Sequence, residues 1–514
     1  MSAKTKVGVN LRKLRHPLLY EINTRVFLNE LSTTLNKRVT LGNFPDDLLD
    51  DLAKRGINAV WLMGVWTTGP IGETIAKIHA GLRTEYQKAL PDVTDRDIIG
   101  SPFAVKDYSV PESLGGAEGL SRLRKKLAER DIGLILDFIP NHTARDHRWV
   151  KAHPEFYIRG NDGDELKEPD LFYRTNIKET EMTFAFGRDP GFAGWTDTVQ
   201  LDVTQPGTRK ALIDTLEKIA SACDGVRCDM AMLVLSSVFA RTWGSRCSPG
   251  SEAGREFWTD AVESVRSEFP DFLFIAEAYW NTEWQLQQLG FDFTYDKTLY
   301  DRLLREGAGS VRDHLRAEPG YQRHSLRFIE NHDEQRAAAA FATEQWQWAA
   351  ATVAATVPGG VLFHEGEFEG KASRIPVQLR RRQLERGSIR AKAFYDRLLR
   401  ALTKTPFQQG TWQLLKVRPA WHDNPTWQNF IAHCWEAPKE GMRMTVINYA
   451  PHPGQCYIDV PLENLGGMAV EFRDLMGAAK YTRDVAGLST KGMFFDLPAY
   501  GTHIFDITPL GHRR

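Results

Sequence analysis

Four segments carry the residues that could do chemistry. "DFIPNH" holds Asp137, Asn141 and His142, "GVRCDM" holds Arg227 and Asp229, "FIAEAYW" holds Glu277, and "FIENHD" holds Asn331, His332 and Asp333. In each, an acid lies within or closes an apolar run. Burying an unpaired charge is costly, so acids are scarce in such runs unless something uses them. A single one reads as a cap or a structural ion pair, whereas several converging on one place read as a site. Asp229, Glu277 and Asp333 are the catalytic candidates. Carboxylates with split pKa values suit glycoside hydrolysis, in which one stays ionised to attack and another stays protonated to donate. Residues two apart on a strand share a face, so Arg227 and Asp229 point one way and Cys228 the other. The cation favours the ionised carboxylate that a nucleophile needs, and Cys228 becomes a small packing residue. Apolar neighbours favour the protonated form of Glu277. Asp333 is a third carboxylate, placed to hold sugar hydroxyls or to stabilise positive charge on the ring. His142 and His332 can donate hydrogen bonds to hydroxyls.

These residues need elements to position them. Strands are expected at 17–28, 57–66 and 134–140, over "DGVRCDM", "FLFIAEAYW", "FDFTYD" and "SLRFIENHD", and at 360–366. Helical patterns alternate with them: 44–56, "EGLSRLRKKLAERDIG", "QPGTRKALIDTLEKIASAC", "GREFWTDAVESVRSEF", one long helix over 334–357, and "SIRAKAFYDRLLRALTKT". Eight apolar strands alternating with helices predict an α/β fold, a (β/α)8 TIM barrel. Active sites in such barrels lie at the C-terminal strand ends, which is where the acids fall. Residues 67–116 read as a long loop and 143–204 as a small inserted domain. Beyond 406, short strands with turns between them predict a C-terminal antiparallel β-sandwich. The expected organisation is therefore a barrel in two parts, 1–142 and 205–405, interrupted by 143–204 and followed by 406–514. The basic stretch "LRRRQLERGSIR" reads as a solvated face.

Composition narrows the class. The 514 residues exceed one compact core, and 65 Lys and Arg against 66 Asp and Glu leave no charge to draw nucleic acid or an anionic membrane. No apolar run is long enough to span a bilayer. The opening "MSAKTKVGVNLRKLRHPLLY" has no apolar core of a signal peptide, so the expected compartment is the cytoplasm. Five scattered cysteines without a CxxC pair suggest neither zinc nor a disulfide framework. Most of the 14 tryptophans are expected in the core, although surface indoles suit a sugar ring.

In order and position, the four segments resemble the conserved regions of the α-amylase family of glycoside hydrolases (family 13), and the likeness runs on to the closing "LPAYGTHIFDI". The resemblance implies a retaining enzyme acting on α-glucans or malto-oligosaccharides, with Asp229 as nucleophile, Glu277 as general acid/base and Asp333 as transition-state stabiliser. It implies that Arg227, His142 and His332 contact the nucleophile or the sugar. "GSPFAVKDY" looks like the family segment that supplies a stacking aromatic; Phe103 stands where tyrosine is usual, and Tyr108 is a second candidate contact. Trp243, in the loop 233–255, is a candidate for shaping the acceptor side, and Arg374 is a candidate sugar contact. One departure concerns calcium. "DMAMLVLSS" lacks the Lys-His that many relatives carry after the nucleophile, where the histidine backbone helps to hold the ion. Asn141 nevertheless matches a frequent calcium ligand, and "GNDGDELKEPD" (160–170) is acid-rich. No cofactor is required by the chemistry, and calcium stays open. A transglycosylase would use the same residues with a sugar acceptor in place of water. A non-catalytic sugar- or partner-binding relative would be expected to lack one of the three acids, and all are present. Donor sugar, linkage, chain length and oligomeric state stay open.

Overall fold

Eight strands carry the apolar runs: β1 (Leu18–Asn23), β2 (Ala59–Met63), β3 (Gly133–Phe138), β4 (Gly225–Cys228), β5 (Leu273–Ala276), β6 (Phe293–Tyr295), β7 (Ser325–Arg327) and β8 (Gly360–His364). Every residue in them is buried in the computed structural model, which describes residues 8–247, 255–403, 405–437, 441–462 and 468–510. The strands pair in parallel with their neighbours in chain order, and β8 closes on β1. Strands covered on both faces show no polar alternation. Alternation survives instead as two separate cores. Leu19, Trp61, Ile135, Ile275, Tyr295 and Leu362 fill the barrel interior. Leu18, Val60, Leu136, Val226, Cys228 and Phe274 face outward to the helices. Cys228 therefore packs away from the interior, as strand parity requires.

Local chemistry sets the helix ends. The helix Asp46–Lys54 has Asp46 and Asp47 in its first turn and Lys54 in its last, each favoured by the helix dipole. Pro206 opens Pro206–Ala222, where its missing N–H costs nothing. The Ser388 side chain accepts from Ala391 N–H and caps Ile389–Leu402.

Four expectations are corrected. The strand expected over 17–28 stops at Asn23, whose side chain accepts from Val26 N–H and starts the helix Thr24–Thr34. The long helix expected over 334–357 is two helices, Ala337–Ala340 and Glu344–Thr356. Alanine propensity would carry the helix through, but Phe341 turns extended and buries its ring, and Thr343 caps a new start at Trp346 N–H. The region 67–116 is not a plain loop: it holds the helices Pro70–Ile78, Ala80–Ala89 and the start of Gly116–Ala128. The basic stretch is not simply a solvated face either. Arg382 is nearly buried between Glu30 and Glu365, and Arg381 pairs with Asp97.

Between β3 and β4 the insertion carries an antiparallel hairpin, Phe172–Ile177 with Thr180–Ala185, and a strand Thr198–Gln200 that pairs with His142–Ala144. At the C-terminal end, a six-stranded antiparallel sheet faces a three-stranded one across a shared core that includes Phe430, Met444, Ile458, Phe472 and Phe495. The sheets are fastened to the barrel. Trp435 Nε1 donates to the Thr356 carbonyl at 2.6 Å, His433 Nε2 lies 3.0 Å from Thr356 Oγ1, and Trp346 Nε1 donates to Tyr449 Oη at 3.0 Å. Replacing Trp435 with alanine opens a cavity and orphans the carbonyl at this seam. The expected loss is about 3–5 kcal/mol of stability, seen as a lower urea midpoint with an unchanged m-value.

Candidate active site

Barrel register builds the site. Arg227 on β4 stands opposite Asp137 on β3 and Ile275 on β5, with its side chain turned into the barrel. The ladder continues past the strand ends: Asp229 N–H donates to the Phe138 carbonyl at 2.8 Å, and Glu277 N–H to the Cys228 carbonyl at 3.0 Å. These bonds set Asp229 and Glu277 side by side, one level above the arginine.

The guanidinium joins them. Arg227 Nη1 donates to Asp229 Oδ1 at 2.7 Å, and Nη2 lies 2.7 Å from Glu277 Oε2. Nη1 also lies 3.8 Å from Asp137 Oδ1, and Nε donates to Tyr295 Oη at 3.3 Å. The arginine is 1% exposed and packs among the rings of Trp61, Phe103 and Tyr295 at 5.2, 5.2 and 5.8 Å. Burial alone would favour its neutral form. The surrounding groups, Glu277 foremost, outweigh that and push its pKa well above the ordinary value.

Each carboxylate has a different environment. Burial raises Glu277 to about 7 against the pull of Arg227, with Asp229 and Asp333 adding to the rise. Its Oε2 also accepts from Met230 N–H at 2.7 Å, and its Oε1 accepts from Tyr279 Oη at 2.9 Å. Met230 takes a left-handed φ of 44°, costly for its side chain. Asp333 is half-exposed at the mouth. Burial pushes its carboxyl upward, but the adjacent His332 outweighs this and holds it at about 2. Asp137 is a buried anchor that accepts from Trp61 Nε1 at 3.0 Å and Gly64 N–H at 2.9 Å, and burial raises it to about 6.

The remaining candidates divide. His142 is buried with its ring 5.1 Å from Trp195, and burial lowers its pKa, so it serves as a neutral donor or acceptor. Phe103 lies against His332, with ring centroids 5.3 Å apart. Arg374 is exposed and close enough to Asp333 to favour its charged form. Two candidates are corrected. Tyr108 spends its hydroxyl on the Ile139 backbone, accepting from N–H and donating to the carbonyl, and lines a separate cleft with Trp66 and His147. Trp243 is 2% exposed, with Arg188 4.6 Å above its ring, so it is a packing residue. Part of its loop, 248–254, lies outside the described residues. Sequence reasoning missed Glu21, Tyr279, Tyr295 and the exposed Trp280. It also missed Asp189 in the insertion, which burial and the facing charge of Asp229 raise to about 6. Glu21 carried the same signal as the others, an acid in an apolar strand.

The calcium candidates fit the ion poorly. The carbonyl oxygen and Oδ1 of Asn141 both accept from Gln200 Nε2, at 2.9 and 3.0 Å. An amide donor thus stands where a cation would have to sit. In the 160–170 stretch, Asp164 and Glu168 are paired with Arg246. Among the described residues, no three His, Cys, Asp or Glu gather to hold a metal, whereas calcium takes roughly 6–8 oxygen ligands.

A parallel barrel with three acids at its strand ends, two of them on one arginine, has the paired carboxylates that glycoside hydrolysis uses. The model of the α-amylase catalytic domain matches residues 47–392, and the chain belongs to the α-amylase family of glycoside hydrolases. Alpha-amylase MalA of Haloarcula japonica is 23% identical over 365 residues, which are 70% of this chain and 44% of that protein. Alpha-amylase 3 of Dictyoglomus thermophilum is 22% identical over 395 residues, 72% of this chain and 67% of that one. The match thus spans less than half the length of the first relative. Among solved structures, a maltogenic α-amylase of Thermotoga neapolitana superposes with a TM-score of 0.67 at 18% identity, covering 98% of this chain and 100% of that one. The α-amylase of Geobacillus thermoleovorans, solved with acarbose, gives 0.63 at 15% identity, covering 97% and 99%. At these identities the likeness shows the fold.

Replacing Arg227 with lysine keeps a charge but cannot span two carboxylates. The expected variant folds and has a lower kcat. Arg227→Met removes the charge altogether: because Arg227 holds Glu277 down, Glu277 rises and the alkaline limb of the kcat/KM profile moves to higher pH, and a limb that stays in place would count against Glu277 as the acid.

Proposed function

We propose that this chain is a retaining α-glycosidase acting on α-glucans or malto-oligosaccharides. The observation that carries the reading is the single guanidinium shared by Asp229 and Glu277. It holds Asp229 Oδ1 and leaves Oδ2 to attack the anomeric carbon. Glu277 Oε2 already accepts from two N–H groups, so the proton of its acid form belongs on Oε1, beside the Tyr279 hydroxyl. That proton passes to the glycosidic oxygen as the C–O bond breaks, giving a glycosyl ester on Asp229 and a free leaving hydroxyl. In the second step Glu277, now a carboxylate, removes a proton from water, which displaces Asp229; this restores the Asp229 carboxylate and the protonated acid of Glu277. Asp333, ionised at the mouth, holds sugar hydroxyls and favours the positive charge that develops on the ring. Trp280 is exposed three residues beyond Glu277 and offers an apolar face to a further sugar ring.

Chromatography of products from maltoheptaose tests this, with Asp229→Asn as the control. Shorter sugars alone, absent from the control, are the expected result. Products longer than the substrate would mean that a sugar hydroxyl replaces water in the second step. No change in either protein would overturn the glucan assignment.

The same reading requires no calcium. The Asn141–Gln200 amide contact ties the end of β3 to the insertion without an ion. Exhaustive treatment with EDTA is expected to leave Tm and kcat within error of the untreated protein. A drop in Tm that added calcium reverses would contradict this.

A further inference from the structure

Strand parity sends Leu19 and Glu21 of β1 into the barrel. Glu21 is fully buried, 311 residues from the group it binds. Its Oε1 lies 2.5 Å from His332 Nδ1, and its Oε2 is buried without a hydrogen-bond partner among the described residues. On the other side of the ring, His332 Nε2 lies 3.0 Å from Asp333 Oδ2. Trp61 meets the imidazole edge-on at 5.5 Å, and Phe103 covers it at 5.3 Å. The ring thus lies between two carboxylates, one beside each nitrogen, with aromatic walls.

A buried carboxylate persists only beside a cation or several donors. A neutral imidazole can donate from one nitrogen only and would leave one of these two carboxylates facing a lone pair. We propose that Glu21 is a positioning residue of the active site, holding His332 doubly protonated and aligned so that Asp333 stays ionised and fixed at the sugar subsite. This rests on the reading of Asp333 as a catalytic group. The charged groups that bear on the clamp are Glu21 from β1, Asp137 from β3, Arg227 from β4, Glu277 beyond β5, Asp333 beyond β7 and the exposed Arg374 beyond β8. Burial alone would strip the proton from His332. Asp333 and Glu21 outweigh it and push its pKa well above the ordinary histidine value. The logic is that of a buried acid that orients a catalytic histidine, except that here the histidine passes the order on to a second carboxylate.

The test is Glu21→Gln in the full chain, which keeps the shape and an acceptor oxygen but removes the charge. Histidine labelled at Cε1 is followed by NMR against pH, with the His332 signal identified by its loss in His332→Gln. In the parent protein His332 is expected to titrate well above the ordinary histidine range. In Glu21→Gln its titration should fall by about one pH unit or more, the tenfold change expected on losing a close charge. The kcat on maltoheptaose should then fall about tenfold at neutral pH, with KM less affected, and the deficit should shrink at acid pH, where His332 is protonated in both. Glu21→Asp, which keeps the charge, should restore the titration. An unshifted His332 titration in Glu21→Gln, or a neutral His332 at pH 7 in the parent protein, would sink the proposal. The second criterion holds even if Glu21→Gln does not fold. The NMR reading does not depend on turnover, so a protein inactive on glucans would refute the functional assignment and leave this one separately decided.

Discussion

The active site depends on one buried cation. Arg227 sits 1% exposed in the barrel interior among the rings of Trp61, Phe103 and Tyr295, and that position is tolerable only because acids close over it. Removing either Asp229 or Glu277 would leave charge without an answer in a medium that screens it poorly. The two groups to which the proposed mechanism gives the chemistry are thus also the groups that make the barrel mouth electrostatically possible. Site geometry and fold stability are coupled through the same guanidinium.

Around this centre the inward-facing positions form a polar layer near the top of the barrel: Glu21, Asp137, Arg227 and Tyr295, with Glu277 and His332 just above. Below it, Leu19, Ile135, Ile275 and Leu362 make an ordinary core. The division lets one end of the same inward face be apolar while the other is charged. It also explains why burial acts differently on Glu277 and Asp333. The first is enclosed and rises; the second stands at the rim beside an imidazolium and falls.

Much of this was legible in the sequence, for a physical reason. Acids are so costly in buried strands that Asp137, Asp229 and Glu277 announce themselves, and strand parity places Arg227 beneath Asp229 without a structure. What could not be read was mostly pairing at long range. Arg227 was expected to serve Asp229 alone, since nothing in a linear chain shows β5 bringing Glu277 to its second nitrogen. Glu21 was legible as an anomaly but not as a partner of His332. Trp243 and Tyr108 mislead because exposure is a tertiary property: Arg188 from the insertion covers one, and the Ile139 backbone consumes the hydroxyl of the other. The break at Phe341–Thr343 shows a cap and a buried ring overriding strong helical propensity.

The seam between the C-terminal sheets and the barrel bears on how such chains diversify. Trp435 and His433 both bind Thr356, the last residue of the helix that leads into β8, and Arg312 from the opposite side donates to the carbonyls of Gln428 and Phe430. The C-terminal unit is therefore welded to the barrel rather than strung behind it. A recombinant chimera that exchanged this unit alone would inherit mismatched halves of every one of these bonds. Viable exchange requires the helices Ala308–Leu315 and Glu344–Thr356 to travel with the sheets, so the unit of inheritance here is larger than the domain drawn from the chain.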